Sequence, residues 1–399
     1  MNRRHLLKSA TLAGLSYVAA PSVRGADLLG QSISTSKDTI LVAVELSGGN
    51  DGLNSVVPYG DDSYYRQRPT IGIKRDELFV LDEHYGLNPG MLGLHRLWEQ
   101  DKLAIVHGCG YDRPSYSHFT SMAYWHTGAP HRGDAYGWMG RVADALEEQR
   151  RDNMIINVAA TQSLAVKSAR HTPVVFDDPS RFARRQWMSN GQTARSSLET
   201  TNTTRNFLNA VDLGAQASSA NIQAAWSAYR SDVDYGIAPM DLPKVAACIN
   251  AGLDTRLYYV SFRNNAFDTH VQQPALHRRL LSYACDGIHG FIKDLERMGQ
   301  DKRVLVMVFS EFGRRVAENA NLGTDHGSAN VMFMAGTPVK GGFYGVQPSL
   351  TELVDGGNLS HTTDFRQVYA TAIQDWLGAP AETVLHGDFA TLPLLHPIA

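Results

Sequence analysis

Five short apolar runs, most of them running directly into turns rich in glycine and polar residues, constrain this chain more than any other feature. They are Thr39–Leu46, Lys102–His107, Leu257–Ser261, Arg303–Ser310 and Asn330–Gly336. Near-continuous runs of this length suit strands buried on both faces, as in a parallel sheet; strands with one wet face would alternate. Helix-length patterns lie between them. Leu92 to Trp98 form one, and Leu276, Leu280, Leu281, Ala284, Ile288, Phe291 and Leu295 recur at the spacing of one helical face. A last helix is expected to start near Thr362 and Thr363, with Phe365, Val368, Tyr369, Ala372, Ile373 and Trp376 on one face and a stop at Gly378. Strands alternating with helices predict an α/β fold, a mostly parallel sheet with helices on both faces. Residues 152–241 break the pattern: they are rich in Ser, Thr, Asn, Gln and Arg, with weak periodicity, and are expected to form a polar insertion or cap.

With 399 residues, 43% of them hydrophobic, the chain can bury one large core, expected as a single domain over residues 39–399. A net charge of −3 gives no reason to expect nucleic acid or an anionic membrane as partner. Cys109, Cys248 and Cys285 have no C-x-x-C spacing and read as buried thiols, with one disulfide in an oxidising compartment as the alternative. Residues 1–26 read as a removable export signal: Arg3-Arg4 followed by Leu6-Leu7-Lys8, then a weakly apolar run to Ala20 and small residues up to Ala26. The apolar run is too short to act as a membrane anchor. Adjacent arginines of this kind are a receptor-read address, so the expected partner is the twin-arginine export machinery of a bacterium and the destination periplasmic or secreted.

The polar residues at the strand ends carry the chemistry. Asp51, His107, Asp268 with His270, Glu311, and Asp325 with His326 all fall at predicted strand ends, and the carboxyl edge of an open α/β sheet is where ligands bind. Carboxylates with imidazoles and no thiolate suit one or two divalent ions, Zn or Mn foremost. The segment Tyr111 to Phe119 offers a nucleophile, Ser117 first and Ser115 second, at the start of a helix. Arg113, Arg314 or Arg315 would hold a substrate oxyanion. Plainer roles stand beside these: Asp51 as a turn residue, Ser117 as a helix cap, Glu311 as a salt-bridge partner, His107 as a core histidine, and His361 as a reserve ligand.

The strings Gly-Gly-Asn-Asp-Gly-Leu-Asn at Gly48 to Asn54, Ser117-His118-Phe119, Phe267-Asp268-Thr269-His270, Ser310-Glu311-Phe312-Gly313-Arg314, Gly323-Thr324-Asp325-His326-Gly327 and Thr363-Asp364-Phe365-Arg366 together resemble the bacterial domain-of-unknown-function 1501 family, from about Thr39 to Gly378. That family in turn resembles the alkaline phosphatase and sulfatase superfamily, and the resemblance implies its fold and a metal-dependent hydrolase of phosphate or sulfate esters. The implied metal set is Asp51, Asp268, His270, Glu311, Asp325 and His326, with Asp325 either a ligand or the residue that orients His326. The implied catalytic set is Ser117, His118 and Arg314, acting on a small anionic ester. Phe312 stands where a metal histidine is expected, and the Asp268-x-His270 spacing is tighter than usual, which weakens the second metal site. A binding or assembly protein without turnover, on the same fold, is the alternative from a different functional class.

Overall fold

The computed structural model describes residues 38–182 and 203–397. The expected export signal lies outside the described residues, and none of the described helices is long and apolar enough to cross a membrane. The main sheet is built from strands β1 Ile40–Leu46, β2 Leu103–Gly110, β3 Ile155–Val158, β4 Val174–Phe176, β5 Leu257–Phe262, β6 Val304–Phe309, β7 Asn330–Ala335 and β8 Gly342–Tyr344. Their order across the sheet is β8-β2-β7-β6-β1-β5-β3-β4, and a short strand β9, Thr363–Asp364, adds to β2. All the pairings are parallel except those of β7, which runs antiparallel to β2 and β6.

The apolar runs are buried on both faces because helices cover both. Successive β1 side chains part company: Ile40, Val42, Val44 and Leu46 join one core, and Leu41 and Ala43 join the other. The first core is closed by helices α1 Leu92–Trp98, α5 Leu242–Asn250 and α6 Gln273–Arg297, the second by α2 His118–Thr127, α3 Trp138–Leu146 and α7 Phe365–Ala370. A further helix, α4 Thr203–Ala228, follows β4. Each fully buried aliphatic or aromatic side chain in these layers contributes about 1.5–3 kcal/mol.

All five predicted strands form, and the chain departs from the expectation in three places. The fifth run is antiparallel, so Asn330, its first residue, lies opposite Cys109 at the end of β2. Asp325 and His326 therefore reach the carboxyl edge of the sheet by preceding their strand, where the other strand-end residues follow theirs. Ile155–Val158 and Val174–Phe176, assigned from sequence to an insertion or cap, instead extend the main sheet beyond β5. The last helix is capped by Asp364, one residue beyond the expected start, in a reciprocal capping box with Gln367. It continues as a π-helical turn to Trp376 and ends before Gly378 in the left-handed conformation. Cys109, Cys248 and Cys285 are buried free thiols, as their spacing predicted.

Candidate metal centre

The site begins where β1 ends. Gly48 has φ +119° and Gly49 φ +72°, conformations that glycine alone adopts without strain. A Cβ on Gly48 would lie 2.5 Å from the backbone nitrogen of Asp268, and one on Gly49 would enter the ring of Phe312. The two glycines thus let the β1 turn lie flat against the Asp268 loop and the Glu311-Phe312 turn. Arg314 locks this contact. Its guanidinium donates to the Gly49 carbonyl at 2.6 Å, the Thr324 carbonyl at 2.9 Å, the Phe267 carbonyl at 3.1 Å and Oδ1 of Asp268 at 2.8 Å.

Three imidazoles and one carboxylate meet at this edge. Nε2 of His270 lies 2.9 Å and Nε2 of His326 3.2 Å from Oδ1 of Asp268, while Nε2 of His118 lies 3.5 Å from Oδ2. The two nitrogens of His270 and His326 are 2.9 Å apart. Each ring is held from behind through its Nδ1: His118 by Oε1 of Glu311 at 2.8 Å, His326 by the Tyr116 carbonyl at 2.7 Å, and His270 by Oδ1 of Asp325 at 3.4 Å. An acceptor at Nδ1 keeps the proton there and leaves Nε2 free as a ligand, the arrangement that orients metal-binding histidines. The Phe312 ring packs on both His118 and His326, with centroids 4.9 and 4.7 Å away.

The donor chemistry fits a divalent cation. His118, Asp268 and His326 offer ligand atoms all within 4.8 Å of one another, the one such group among the described residues. Nε2 of His118 is buried without a hydrogen-bond partner, an orphan that a cation would satisfy. Separations near 3 Å between nitrogen and oxygen donors match ligands that share an ion at about 2 Å from each. Nitrogen and oxygen without sulfur suit Zn, Mn or Fe. The electrostatics agree. Burial alone would raise the Asp268 carboxyl, but Arg314 and His270 hold it below its ordinary value, so it stays anionic. Burial lowers His326, leaving it neutral and ready to ligate, whereas the hydrogen bond to Glu311 raises His118 and strengthens it as a donor.

The structure redistributes the residues named from sequence. Asp268, His270 and His326 come together, and His118, expected in the catalytic set, joins them. Glu311, expected as a ligand, is fully buried behind His118, its two oxygens accepting from the Gly48 amide at 2.9 and 3.1 Å. Asp51, also expected as a ligand, is sealed in a different network: Arg68 donates to it at 2.7 Å, Gln273 at 2.6 Å and the Asn54 amide at 3.1 Å. Asp325 backs His270, and the task of orienting His326 falls to a backbone carbonyl. Arg314, expected to hold a substrate anion, has no exposed side-chain surface and spends its donors on the loops.

Ser117 is exposed immediately before His118, at the N-terminal end of α2, where its side chain makes no capping hydrogen bond. Ser115 instead braces the turn, its hydroxyl accepting from the Ser117 amide at 3.3 Å. His107 is buried in a stack with Tyr85 and Phe343, a core histidine as the plainer reading held. His361 faces Asp112 and takes no part in the cluster. Sequence reasoning missed Arg68 and Tyr116: the first is an unremarkable basic residue in a polar stretch, and the second acts through its backbone, which no side-chain pattern encodes.

The chain is similar to several solved structures, all of low sequence identity. A sulfatase, PsFucS1, from Pseudoalteromonas sp. matches 94% of this chain and 75% of its own at 12% identity, with a TM-score of 0.41. The phosphonate monoester hydrolase SpPMH from Silicibacter pomeroyi matches 89% and 76% at 10% identity, with a TM-score of 0.40. The lipoteichoic acid synthase LtaP from Listeria monocytogenes matches 86% and 73% at 9% identity, with a TM-score of 0.36. No curated protein matches by sequence. The family model described as "Protein of unknown function (DUF1501)" matches residues 102–378, most of the chain and all four residues of the cluster, and the protein belongs to that family.

Proposed function

We propose that the protein is an exported hydrolase of phosphate or sulfate esters that works with a single divalent metal ion held by His118, Asp268, His270 and His326. The observation that carries this reading is the convergence of three histidines, each with Nδ1 turned to an oxygen acceptor and Nε2 turned to Asp268. A metal ion bound there supplies Lewis-acid stabilisation of the charge that develops on the transferred group. One ion is favoured over two because Asp51 and Glu311, the further carboxylates a second ion would need, already have buried partners.

The chain's own residues supply the rest. Ser117, exposed beside His118, is the nucleophile in this reading: its Oγ bonds to phosphorus or sulfur as the bond to the ester oxygen breaks, its hydroxyl proton leaving with that oxygen as the alcohol, and water then releases the group and restores the serine hydroxyl. The first turn of α2 favours the anionic group through its free amides. Of Arg113, Arg314 and Arg315, the three named from sequence for the anion, Arg315 takes the role in this reading, since it is exposed and acts electrostatically on Tyr116 and Asp325 at the same edge. Export through the twin-arginine route, which carries folded proteins, would let this site load its metal before leaving the cytoplasm.

The test is metal analysis of protein purified from the periplasm, followed by assays on phosphomonoesters, phosphodiesters and sulfate esters. About one ion per chain and hydrolysis lost in both Ser117→Ala and His326→Ala are expected. Metal-loaded protein inactive on all three ester classes would sink the reading in favour of a binding protein on the same fold.

A further inference from the structure

Beside the cluster, and sharing His118 as a wall, lies a cavity of about 670 Å³ whose lining includes a second buried polar group, Glu45, His126 and Tyr259. Glu45 is an acid inside the apolar run of β1 and is only 2% exposed. Tyr259 donates its hydroxyl to Oε2 of Glu45, and Nε2 of His126 lies 2.9 Å from the Tyr259 oxygen and 3.4 Å from the same carboxylate oxygen. This accounts for Oε2, the tyrosine and the imidazole. It leaves Oε1 of Glu45 buried without a hydrogen bond of good geometry, with the Ser261 side chain on the same cavity wall acting on the carboxylate. A buried anionic acceptor left unmet costs stability, and one kept in a cavity wall is matched by a donor on whatever enters.

The rest of the lining says what kind of donor. Thr161, Gln162, Asn264 and Asn265 bring neutral groups that both donate and accept. Arg263 is already bridged to Asp177 and Asp241, each at 2.9 Å, and among the described residues Glu45 is the sole carboxylate in the lining. Phe119, one residue past His118, also lines the cavity and is 91% exposed, an apolar plate that the described residues leave open. Neutral hydrogen-bonding groups around one carboxylate, with an uncovered ring, are complementary to a polyhydroxylated, sugar-like group, whose hydroxyls donate and whose C–H face lies on the ring.

We propose that this cavity holds a polyhydroxylated organic group, with one hydroxyl donating to Oε1 of Glu45 and a C–H face against Phe119. The assignment rests on the ester-hydrolase reading for its purpose: the group is the alcohol part of the ester whose anionic end meets Ser117 and the cluster.

Binding is tested directly, without turnover, by saturation-transfer NMR on the metal-loaded protein with methyl glucoside, myo-inositol and ethanolamine as probes. The two polyols are expected to bind and ethanolamine not to. In Glu45→Gln the amide oxygen can keep accepting from the Tyr259 hydroxyl, which puts an N–H in place of Oε1 and a donor where an acceptor was. That variant should weaken polyol binding by about tenfold or more. Phe119→Ala, at a solvent-exposed position where misfolding is not at issue, should do the same. Absent polyol binding, preference for ethanolamine, or binding unchanged in both variants overturns the proposal. Polyol binding by a protein that hydrolyses no ester upholds the cavity and refutes the hydrolase, whereas ester hydrolysis indifferent to the alcohol and to both variants does the reverse.

Discussion

Nδ1 of His118 sits 2.8 Å from Oε1 of Glu311, and Glu311 has no exposed side-chain surface of its own. The carboxylate therefore acts on the cluster through the imidazole, fixing the ring and raising its basicity. Glu311→Gln keeps the shape and can still accept from the Gly48 amide, but it loses the charge. Replacing such a backing carboxylate lowers metal affinity by about 10–100-fold. The expected result in a competitive zinc titration is a weaker site with unchanged stoichiometry, in contrast to His118→Ala or Asp268→Ala, which remove a proposed ligand. Stoichiometry falling to zero in Glu311→Gln while the protein stays folded would make Glu311 a ligand after all.

Asp51 presents the opposite case, a strand-end carboxylate spent on stability. Its side chain and that of Arg68 are both fully buried, 2.7 Å apart, and Arg68 also donates to the Val316 carbonyl at 2.9 Å and to Asn54 at 2.6 Å. Removing one partner of a buried pair strands the other charge and costs about 3–5 kcal/mol. Arg68→Met should lower unfolding free energy by that much, measured by urea denaturation, with metal content per folded molecule unchanged. A variant of normal stability that no longer binds metal would contradict the structural role.

Asp51 and Asp268 show where the sequence is legible and where it stops. Both are aspartates in polar turns at strand ends, and nothing local separates them. What separates them is Arg68, brought to Asp51 from a helix end 17 residues on, and Arg314, brought to Asp268 across three loops. The apolar runs identified the five strands because burial on both faces leaves a mark on every residue of a strand. They could not give direction, so the antiparallel course of β7 went unread, and with it the reason Asp325 and His326 precede their strand. The polar stretch after Asp152 hid two short strands, since four residues such as Ile155–Val158 are too few to stand out from a weak background. Glu45 did carry a signal, an acid within an otherwise apolar run, and it marks the cavity.

Two buried histidines contribute to the pH response of the fold. Burial lowers His277, whose Nε2 is 2.9 Å from Oδ1 of Asn50, to about 4, and burial likewise lowers His107 to about 4. An unfolded histidine titrates near 6.5, so as pH falls from there toward 4 the unfolded chain takes up protons that the folded chain refuses. Stability is full above the unfolded value and declines across this window by about 1.4 kcal/mol per pH unit for each histidine. Asp51 acts lower: burial would raise it, but Arg68 and His277 hold it below its ordinary value, so its share is present above the ordinary carboxylate value and is lost as the pH falls from there through the depressed one. Denaturation at pH 7 and pH 5 should show the loss. His277→Gln, which retains an N–H for Asn50, should remove roughly half of the pH slope contributed by the pair, and an undiminished slope in that variant with His107→Phe added would refute the assignment.

Gly49 ties the conformation of the β1 turn to the histidines through Phe312. Its φ of +72° disfavours any other residue by about 1–2 kcal/mol. A Cβ there would also drive into the Phe312 ring, which packs on His118 and His326. Gly49→Ala should therefore cost more than the backbone term alone and should also weaken metal binding, because the displaced ring pushes on two of the proposed ligands. In a Phe312→Leu background the smaller side chain relieves the clash, so the alanine should cost less there than in the parent protein. A double-mutant cycle on unfolding free energy and zinc affinity measures this coupling, expected at about 0.5–3 kcal/mol for groups in direct contact. Strict additivity would mean that Phe312 does not transmit the turn to the metal centre.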